Sequence, residues 1–589
     1  MKGIAVSKGV AIGKVYLLDS SKFCVLKHQL NESEAEKEVE RFRNAIKQTK
    51  LQMLEIKKRA KKIADKYAVI LDTYSLLLDD DILVNETIDN IKKYKTNAEW
   101  ALTKTLDNFL KLFDNINDDY LKGKKDDLDL LVQTILKNLI GHSQESLSDI
   151  EEPVIIATHS LNPSDTISIP KNFVKGLITE VGGKTSHVGI FAATLGIPAI
   201  TGIKGIVSQI NSGDQIIVDG IDGEVIINPS NETLQNYKRK QENYRKYEEI
   251  LLDNVHQPAE TLDGHQIKLL ANIESNHEVK SLYKFGVEGV GLYRTEFLYM
   301  AKSSLPRERD LYETFKVVAQ EMGSRPVVIR TLDIGMDKHF GDGLSIDEDN
   351  PALGLRGIRF SLANPQLLAD QLRGILRASL YGDVKILYPM VSSATEIIQA
   401  NKILEDAKIA LRKDQIPFNE EIEVGSMIET PASATCIDHI LKVVDFISIG
   451  TNDLIQYLLA VDRTNENVAH LYQPFHPSIL RTLKTIMKAA ENAGKKVSIC
   501  GEMGGDPMAT MLLLGLGKLD TLSMEPHSVP KVKKIIRTIR LEEARKLAEN
   551  VLNMHSSDEI TSYISDEMRT RFPEDFDRDL SFEQKLKPA

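Results

Sequence analysis

The feature that most constrains the fold is a long stretch without helix breakers near the start of the chain. No glycine occurs between Gly13 and Gly123, and the first proline is Pro153. Glycine and proline are the residues that destabilise a helix most. Within this stretch a set of mostly apolar residues recurs at alternating steps of three and four, as in helices that pack lengthwise. The set is Val39, Phe42, Ile46, Thr49, Met53, Ile56, Ala60 and Ile63. The pattern predicts an all-helical subdomain over residues 21–145.

Short β-branched runs separated by Gly, Pro, Asn and Asp lie on both sides of this stretch. They occur in residues 1–20 and again in residues 146–228, where PVIIAT, GLITEV and DQIIVDG are examples. Such runs are typical of strands. We therefore expect one α/β domain built from residues 1–20 and 146–228, with the helical subdomain inserted into it.

The second half of the chain alternates strand-like runs with helical ones. Eight strand-like runs are present, at 267–273, 287–293, 327–333, 384–391, 422–428, 444–449, 496–500 and 520–524. Eight βα units predict a C-terminal TIM (β/α)8 barrel, which we place at residues 257–555. The expected fold class is therefore multidomain α/β.

Two further segments complete the expected organisation. Residues 229–256 are polar and favour a helix, and we interpret them as a linker helix between bodies that move relative to each other. Residues 556–589 are highly charged, and we interpret them as a solvated C-terminal extension.

Charge and cysteine content exclude several classes of protein. The formal net charge of −11 argues against nucleic-acid binding, which needs clustered cations. Because Cys24, Cys436 and Cys500 include no CxxC pair, neither a disulfide framework nor a structural zinc site is expected. Cys24 and Cys436 are interpreted as buried core thiols. The few unpaired cysteines lead us to expect a protein of the reducing cytoplasm, and since no run of about eighteen apolar residues is present, we expect no membrane insertion.

Polar side chains follow most of the strand-like runs in the second half. They are Asn272, Arg294, Arg330, Glu429, Asn452, Asp453 and Cys500. The carboxyl ends of the strands carry the active site in TIM barrels. We therefore predict the catalytic pocket at this end of the barrel.

The segment VGGKTSHVGIFAATLGIPAITG, residues 181–202, places two glycines ahead of His187. A helix beginning near His187 would direct amide N–H groups and its positive dipole end toward a phosphoryl group on the imidazole. A lone histidine is more often a packed or surface residue, so the segment alone leaves that alternative open. A nucleotide-binding P-loop is excluded by spacing, because its first glycine would fall on Ile178.

GGKTSH with GIPAI resembles the phosphohistidine signature of Enzyme I, pyruvate phosphate dikinase and phosphoenolpyruvate synthase. The segments GVGLYRTEFLYM, VIRTLDIGMDK, SMIETPASA, SIGTNDLIQYLLAVDR and CGEMGGD extend the resemblance in order over residues 1–555. It implies phosphoryl transfer from phosphoenolpyruvate to His187, with Cys500 protonating the enolate. It further implies a substrate pocket formed by Arg294, Arg330, Asn452, Asp453 and Arg463. It also implies that Glu429 and Asp453 bind Mg²⁺ and that Thr166 and Arg356 have supporting roles at the site.

The resemblance also distinguishes the family members. The dikinase and the synthase need an ATP-grasp domain, for which this chain has no room, whereas the helical insertion is similar to the surface of Enzyme I that docks the carrier protein HPr. Enzyme I also forms homodimers through its barrel. The nitrogen-related branch usually carries an N-terminal GAF domain, so the sugar branch is favoured. A catalytically idle scaffold protein of this fold would be expected to lose His187, Cys500 or an arginine. Because all of them are present, we expect an active enzyme. One departure is Ala193, where many relatives carry arginine.

Overall fold

A computed structural model describes residues 1–18, 27–60, 81–114, 132, 134–136, 138–139, 150, 152–161, 173–182, 192, 196–300, 305–334, 348, 350–463, 465 and 467–576. It divides into two compact units, Met1–Lys246 and Tyr247–Ala589. The expected roles of His187, Thr166 and Ala193, and the expected burial of Cys24, fall on residues outside this description. No helix in the described ranges is long and apolar enough to cross a membrane.

The first unit is built on a seven-stranded mixed sheet. Its strands are β1 (Ile4–Ser7), β2 (Val10–Leu17), β3 (Val154–Thr158), β4 (Val174–Thr179), β5 (Ala199–Thr201), β6 (Gln215–Asp219) and β7 (Glu224–Ile227). The spatial order is β1-β5-β4-β3-β2-β6-β7, in which β2, β3, β4 and β5 are parallel neighbours. Because β2 and β3 pair directly, the chain leaves the sheet after β2 and returns beside it.

Within the part of the chain that the structure describes, three helices with defined bounds lie between β2 and β3, as predicted for an inserted helical subdomain. They are α1 (Glu32–Ala60), α2 (Asp81–Tyr94) and α3 (Ala98–Asp114). Val39, Phe42 and Ile46 are buried, and so is Thr49, whose hydroxyl donates to the carbonyl of Ala45 at 2.9 Å. The predicted helical seam is therefore correct as far as Thr49, and the side chains of its later members lie outside the description.

The sheet separates two hydrophobic clusters in this unit. On β3, Ile156 belongs to the cluster that includes the helical residues Phe42 and Leu102, whereas Ile155 and Ala157 belong to the other cluster. This alternation is expected of a strand covered on both faces. Helix α4 (Asn231–Asp253) follows β7 and has no buried residue.

The second unit contains a closed barrel of eight parallel strands, which confirms the predicted fold. The strands are β8 (Lys268–Ile273), β9 (Val290–Tyr293), β10 (Pro326–Arg330), β11 (Asp383–Tyr388), β12 (Val424–Ile428), β13 (Phe446–Ile449), β14 (Lys496–Ile499) and β15 (Thr521–Met524). Each strand pairs with its neighbours in chain order, and β15 closes on β8. Buried apolar strands of this kind are typical of parallel sheets with both faces covered.

Helices surround the barrel. They are α5 (Val279–Leu282), α6 (Glu296–Met300), α7 (Glu308–Met322), α8 (Ile358–Ala363), α9 (Pro365–Ala378), α10 (Ala394–Lys413), α11 (Pro431–Thr435), α12 (Ile437–Ile440), α13 (Thr451–Leu459), α14 (Pro477–Asn492), α15 (Pro507–Leu516), α16 (Val529–Thr538), α17 (Leu541–Leu552), α18 (Ser557–Arg571) and α19 (Pro573–Phe576). A small cluster that includes Leu292, Val328, Met427 and Cys500 is separate from the large core that contains the helices.

Two expectations need correction. Residues 557–576 are not a solvated extension, because they form α18 and α19, and Ile560, Ile564 and Met568 of α18 are buried in the barrel core. Cys436 is exposed rather than buried, because it lies at the short turn between α11 and α12.

Candidate active site

The predicted polar residues of the barrel lie at or just beyond the carboxyl ends of its strands. Asn272 is near the end of β8, Arg294 follows β9, and Arg330 ends β10. The others follow strands later in the barrel; they are Glu429, Asn452, Asp453 and Cys500. Since all eight strands are parallel, these ends form one rim, which we call the barrel rim. This is the position of active sites in TIM-barrel enzymes.

Arg330 is buried in the barrel rim and ion-paired on two sides. Its two terminal nitrogens lie 3.0 Å from Glu296 Oε1 and 2.8 Å from Asp333 Oδ2. Its Nε is buried and has no hydrogen-bond partner among the described residues. A buried donor without a partner is costly. The guanidinium is therefore fixed in place by its two ion pairs, with one N–H left unsatisfied by the described residues.

Arg356 joins two carboxylates on different elements. Its Nε and one terminal nitrogen donate to the two oxygens of Asp333 at 3.0 and 3.1 Å, a bidentate arrangement. Its terminal nitrogens also reach the two oxygens of Asp453 at 3.2 Å each. The phenol oxygen of Tyr457 accepts a further bond at 3.1 Å. Planar, charge-assisted contacts of this kind hold both carboxylates in defined orientations.

Glu429 is 1% exposed and lies among other carboxylates. The backbone N–H of Met390 donates to its Oε1 at 2.6 Å, and Met390 has a left-handed φ of 56°. A Cβ on Gly450 would lie 2.6 Å from Glu429 Oε2, so only glycine leaves room there. Burial, and then the charges of Asp333 and Asp453, raise the pKa of Glu429 to about 8.

This donor set fits a divalent cation. Burial, and then the negative charges of Asp333 and Asp453, raise the pKa of Glu429, and a bound cation would offset those charges. Within the described ranges no three carboxylate, histidine or cysteine side chains form a complete metal-binding group. Mg²⁺ commonly takes only one or two protein carboxylates and completes its shell with water and substrate oxygens. Glu429 and Asp453 are therefore suited to a magnesium ion that is bound together with a substrate.

Three of the predicted polar residues, Asn452, Arg463 and Arg294, form pairs with glutamates in the outer part of the barrel rim. Asn452 and Glu502 bond reciprocally, because Asn452 Nδ2 donates to Glu502 Oε1 at 2.9 Å and Glu502 N donates to Asn452 Oδ1 at 2.8 Å. Arg463 reaches the same Glu502 Oε1 at 3.4 Å, and Arg294 pairs with Glu274 at 3.2 Å. These pairs are more exposed than those of Arg330. Arg294 and Arg463 are consequently freer to exchange partners for a bound anion.

Cys500 lies at the bottom of the barrel rim and is 1% exposed. Its Sγ is 3.6 Å from the carbonyl oxygen of Ile449, which can only accept. Burial raises the pKa of the thiol to about 11, with a smaller contribution from the charge of Glu429. The side chain is therefore protonated at neutral pH and able to act as an acid rather than as a nucleophile.

Sequence reasoning did not single out several groups in the barrel rim. Asp333 is the main one, because it orients both Arg330 and Arg356. Its position inside VIRTLDIGMDK, three residues after Arg330, was an available signal. Tyr457 lies inside SIGTNDLIQYLLAVDR and Glu502 inside CGEMGGD, so a comparable signal was available for both, but their contacts with Arg356 and Asn452 became visible only in the fold.

Comparison with known proteins identifies the family of this chain. Three family descriptions match in order: "PEP-utilising enzyme, N-terminal" over residues 2–124, "PEP-utilising enzyme, mobile domain" over 150–223, and "PEP-utilising enzyme, PEP-binding domain" over 249–541. Phosphoenolpyruvate-protein phosphotransferases from Bacillus sp. (strain S) and Geobacillus stearothermophilus are each 41% identical over 95% of this chain and 97% of their own length. That of Bacillus subtilis (strain 168) is 40% identical over 96% of this chain and 99% of its own. Full-length similarity at this level shows that the chain belongs to the phosphoenolpyruvate-protein phosphotransferase family.

Proposed function

We propose that this protein takes a phosphoryl group from phosphoenolpyruvate onto His187 and passes it to the histidine of the carrier protein HPr, in the manner of Enzyme I for sugar uptake. The proposal rests mainly on two buried side chains of the barrel rim, a positively charged arginine and a protonated cysteine. Arg330 is preset there by Glu296 and Asp333, and a protonated Cys500 belongs to the apolar cluster inside the same barrel.

Phosphoenolpyruvate carries a phosphate and a carboxylate close together, and the barrel rim offers several guanidinium groups to them. Arg330 is the rigid contact, and Arg294 and Arg463 are the more exposed contacts on either side. Arginine suits both anionic groups because its donors form a planar fork. Asn452 and Asp453 complete the substrate pocket, and Arg356 supports it by orienting Asp453.

Magnesium is part of this proposal. Glu429 and Asp453 would hold the ion, which would neutralise charge on the transferring phosphoryl group when bound. The role of the protein is to keep the two carboxylates in place, Glu429 through the N–H of Met390 and Asp453 through Arg356.

The chemical step balances with the groups that the chain provides. A nitrogen of the neutral His187 imidazole attacks phosphorus, and the bond from phosphorus to the enol oxygen breaks, leaving the enolate of pyruvate. The Cys500 thiol then donates its proton to the methylene carbon, and the thiolate later regains a proton from solvent. The raised pKa of Cys500 keeps that proton available at neutral pH.

We further propose that the helical subdomain of residues 21–145 docks HPr, that the barrel mediates a homodimer, and that the protein acts in the cytoplasm. Thr166 would orient the His187 imidazole. Family membership supports these assignments, as does the position of α1, α2 and α3 as one inserted helical body.

Pyruvate release measured with and without HPr tests this function. Without HPr the chain should release about one pyruvate per active site in the presence of Mg²⁺, because the acceptor histidine then stays phosphorylated. With HPr in excess release should continue, and EDTA should stop it. Continuous release without HPr would contradict transfer to a carrier.

A further inference from the structure

A chain of buried hydrogen bonds crosses three neighbouring strands of the barrel and ends on the backbone of Cys500. Asn272 of β8 donates from Nδ2 to the carbonyl oxygen of Cys500 at 2.9 Å. Ser523 of β15 donates from its hydroxyl to Asn272 Oδ1 at 2.6 Å. Cys500 follows β14, and β15 lies between β14 and β8. These bonds therefore connect the last two strands of the barrel, β14 and β15, with its first strand, β8.

The direction of each bond is fixed by the chemistry of its acceptor. A carbonyl oxygen only accepts, so the amide nitrogen of Asn272 must face Cys500. The amide oxygen then faces Ser523 and can only accept, so the Ser523 hydroxyl must be the donor. Because neither residue can reverse its role without losing a bond, the arrangement has a single hydrogen-bonded state.

Packing restricts the side-chain rotamers that are open to Ser523. Its side chain is fully buried, and a Cβ placed on Gly291 of β9, the strand on the far side of β8, would collide with its hydroxyl. Asn272 is also buried, at 6% exposure. A buried polar group that loses its partner costs more free energy than the bond itself contributes. The two side chains are therefore held in one rotamer each.

The other side of Cys500 is held by β13. The backbone N–H of Cys500 donates to the carbonyl of Ile449 at 3.1 Å, and its thiol approaches the same oxygen. With the N–H bonded to β13 and the carbonyl bonded to Asn272, both peptide groups that flank the Cα atom of Cys500 are restrained. The direction of the Cα–Cβ bond of Cys500 is restrained with them.

We infer that Asn272 and Ser523 are positioning residues for the proton donor, aligning the Cys500 thiol with the methylene carbon of the enolate. The inference rests on the proposed role of Cys500 as that donor. Neither residue contacts the substrate in this account; both act through Cys500. Misplacing a reacting group by about 1 Å can cost on the order of a hundredfold in rate.

A double-mutant cycle in the full-length protein tests this inference. Cys500→Ala should lower kcat for pyruvate formation by about a hundredfold or more. Ser523→Ala should lower kcat by roughly tenfold, with KM for phosphoenolpyruvate changed less than about twofold, since misalignment of the donor leaves the arginine contacts intact. In the Cys500→Ala background, Ser523→Ala should have no further effect, because its action requires the thiol.

Asn272→Leu serves as a second variant, since it preserves size and removes the donor to Cys500, and it should show the same dependence on Cys500. Ser426→Ala is the matched control, because Ser426 is a buried serine of β12 whose hydroxyl, among the described residues, bonds weakly to the carbonyl of its neighbour Met427 alone, at 3.4 Å. It should leave kcat unchanged in both backgrounds.

The outcomes separate this inference from the proposed function. If Cys500→Ala retains normal turnover, the proposed role of Cys500 is wrong, and the positioning role is lost with it. If Cys500→Ala is impaired but Ser523→Ala and Asn272→Leu keep normal kcat, only the positioning role is wrong. Equal losses from Ser523→Ala in both backgrounds would also overturn it, because they would indicate a general structural role.

Discussion

Burial and pairing decide what each side chain of the barrel rim can do. Arg330 is 8% exposed and its charge is balanced by Glu296 and Asp333, so it is held ready for an anion without having to be ordered by it. Burial, with a smaller contribution from the charge of Glu429, raises the pKa of Cys500 and makes its thiol a weak acid. The same buried environment therefore keeps the arginine charged and the cysteine neutral.

Replacing Arg330 by lysine should lower kcat/KM by about a hundredfold or more. A lysine ammonium is a point charge that cannot contact Glu296, Asp333 and a substrate anion in one plane. Steady-state kinetics with phosphoenolpyruvate measures the effect. Arg373→Lys is the control, because Arg373 makes comparable pairs with Glu308 and Asp414 on the outside of the barrel, and it should have little effect. Normal kcat/KM in Arg330→Lys would exclude Arg330 from the substrate contacts.

Glu278 should make the stability of the barrel depend on pH. Burial, helped by the charges of Glu525 and Glu274, raises its pKa to about 7 from 4.5. A carboxyl whose pKa is raised on folding contributes fully to stability at pH values below its pKa in the unfolded chain. This contribution is lost as the pH rises through its pKa in the folded chain. Glu278 Oε1 alone accepts the N–H groups of Glu274 and Ser275, so glutamine can keep both bonds.

Glu278→Gln should therefore be more stable than the wild type at pH 8 by about 1–2 kcal/mol, and the advantage should shrink toward pH 5. Urea unfolding at the two pH values, followed by a barrel-specific signal, measures the difference. A stability difference that is the same at both pH values would show that Glu278 is ionised alike in the folded and unfolded chain.

At the scale of elements, the parallel strands were predictable and the C-terminal helices were not. Barrel strands are buried on both faces and appear in the sequence as short continuous apolar runs between turn residues, which is why all eight were found. In α18 the buried residues Ile560, Ile564 and Met568 are four apart among many charges. Because the segment was judged by its high overall charge, the apolar stripe of an amphipathic helix was missed.

Contacts across the barrel rim could not be predicted in the same way. Arg330 lies in a recognisable segment, but its arrangement with Asp333 becomes visible only when the fold is known. Arg356 and Asp453 are 97 positions apart in the chain, and Ser523 and Asn272 are 251 apart. No local pattern encodes such pairs; the closure of the barrel brings them together.

Ile564→Ala in α18 should destabilise the barrel unit by about 2–4 kcal/mol, since a large apolar side chain would be removed from a core position that is 1% exposed. Arg569→Ala, at an exposed position of the same helix, should change stability by less than about 0.5 kcal/mol. Denaturant unfolding of the two variants measures both. If Ile564→Ala unfolds like the wild type, α18 does not dock on the barrel in solution.

At the scale of the whole molecule, the chain consists of two units with separate hydrophobic cores. The first contains the mixed sheet and the helical insertion, and the second contains the barrel with its rim. His187 belongs to the sequence of the first unit, whereas every described substrate contact that we propose belongs to the second. We therefore assign phosphoryl acceptance to the first unit and substrate binding to the second.

Labelling from radioactive phosphoenolpyruvate, with Mg²⁺ and HPr, tests this assignment most directly when the wild type is compared with His187→Ala. The wild type should carry an acid-labile label and pass it to HPr. The variant should carry none and leave HPr unlabelled, while still binding phosphoenolpyruvate with wild-type affinity, because its barrel is unchanged. Acid-labile label on His187→Ala, or labelled HPr in its presence, would contradict the account and place the acceptor elsewhere in the chain.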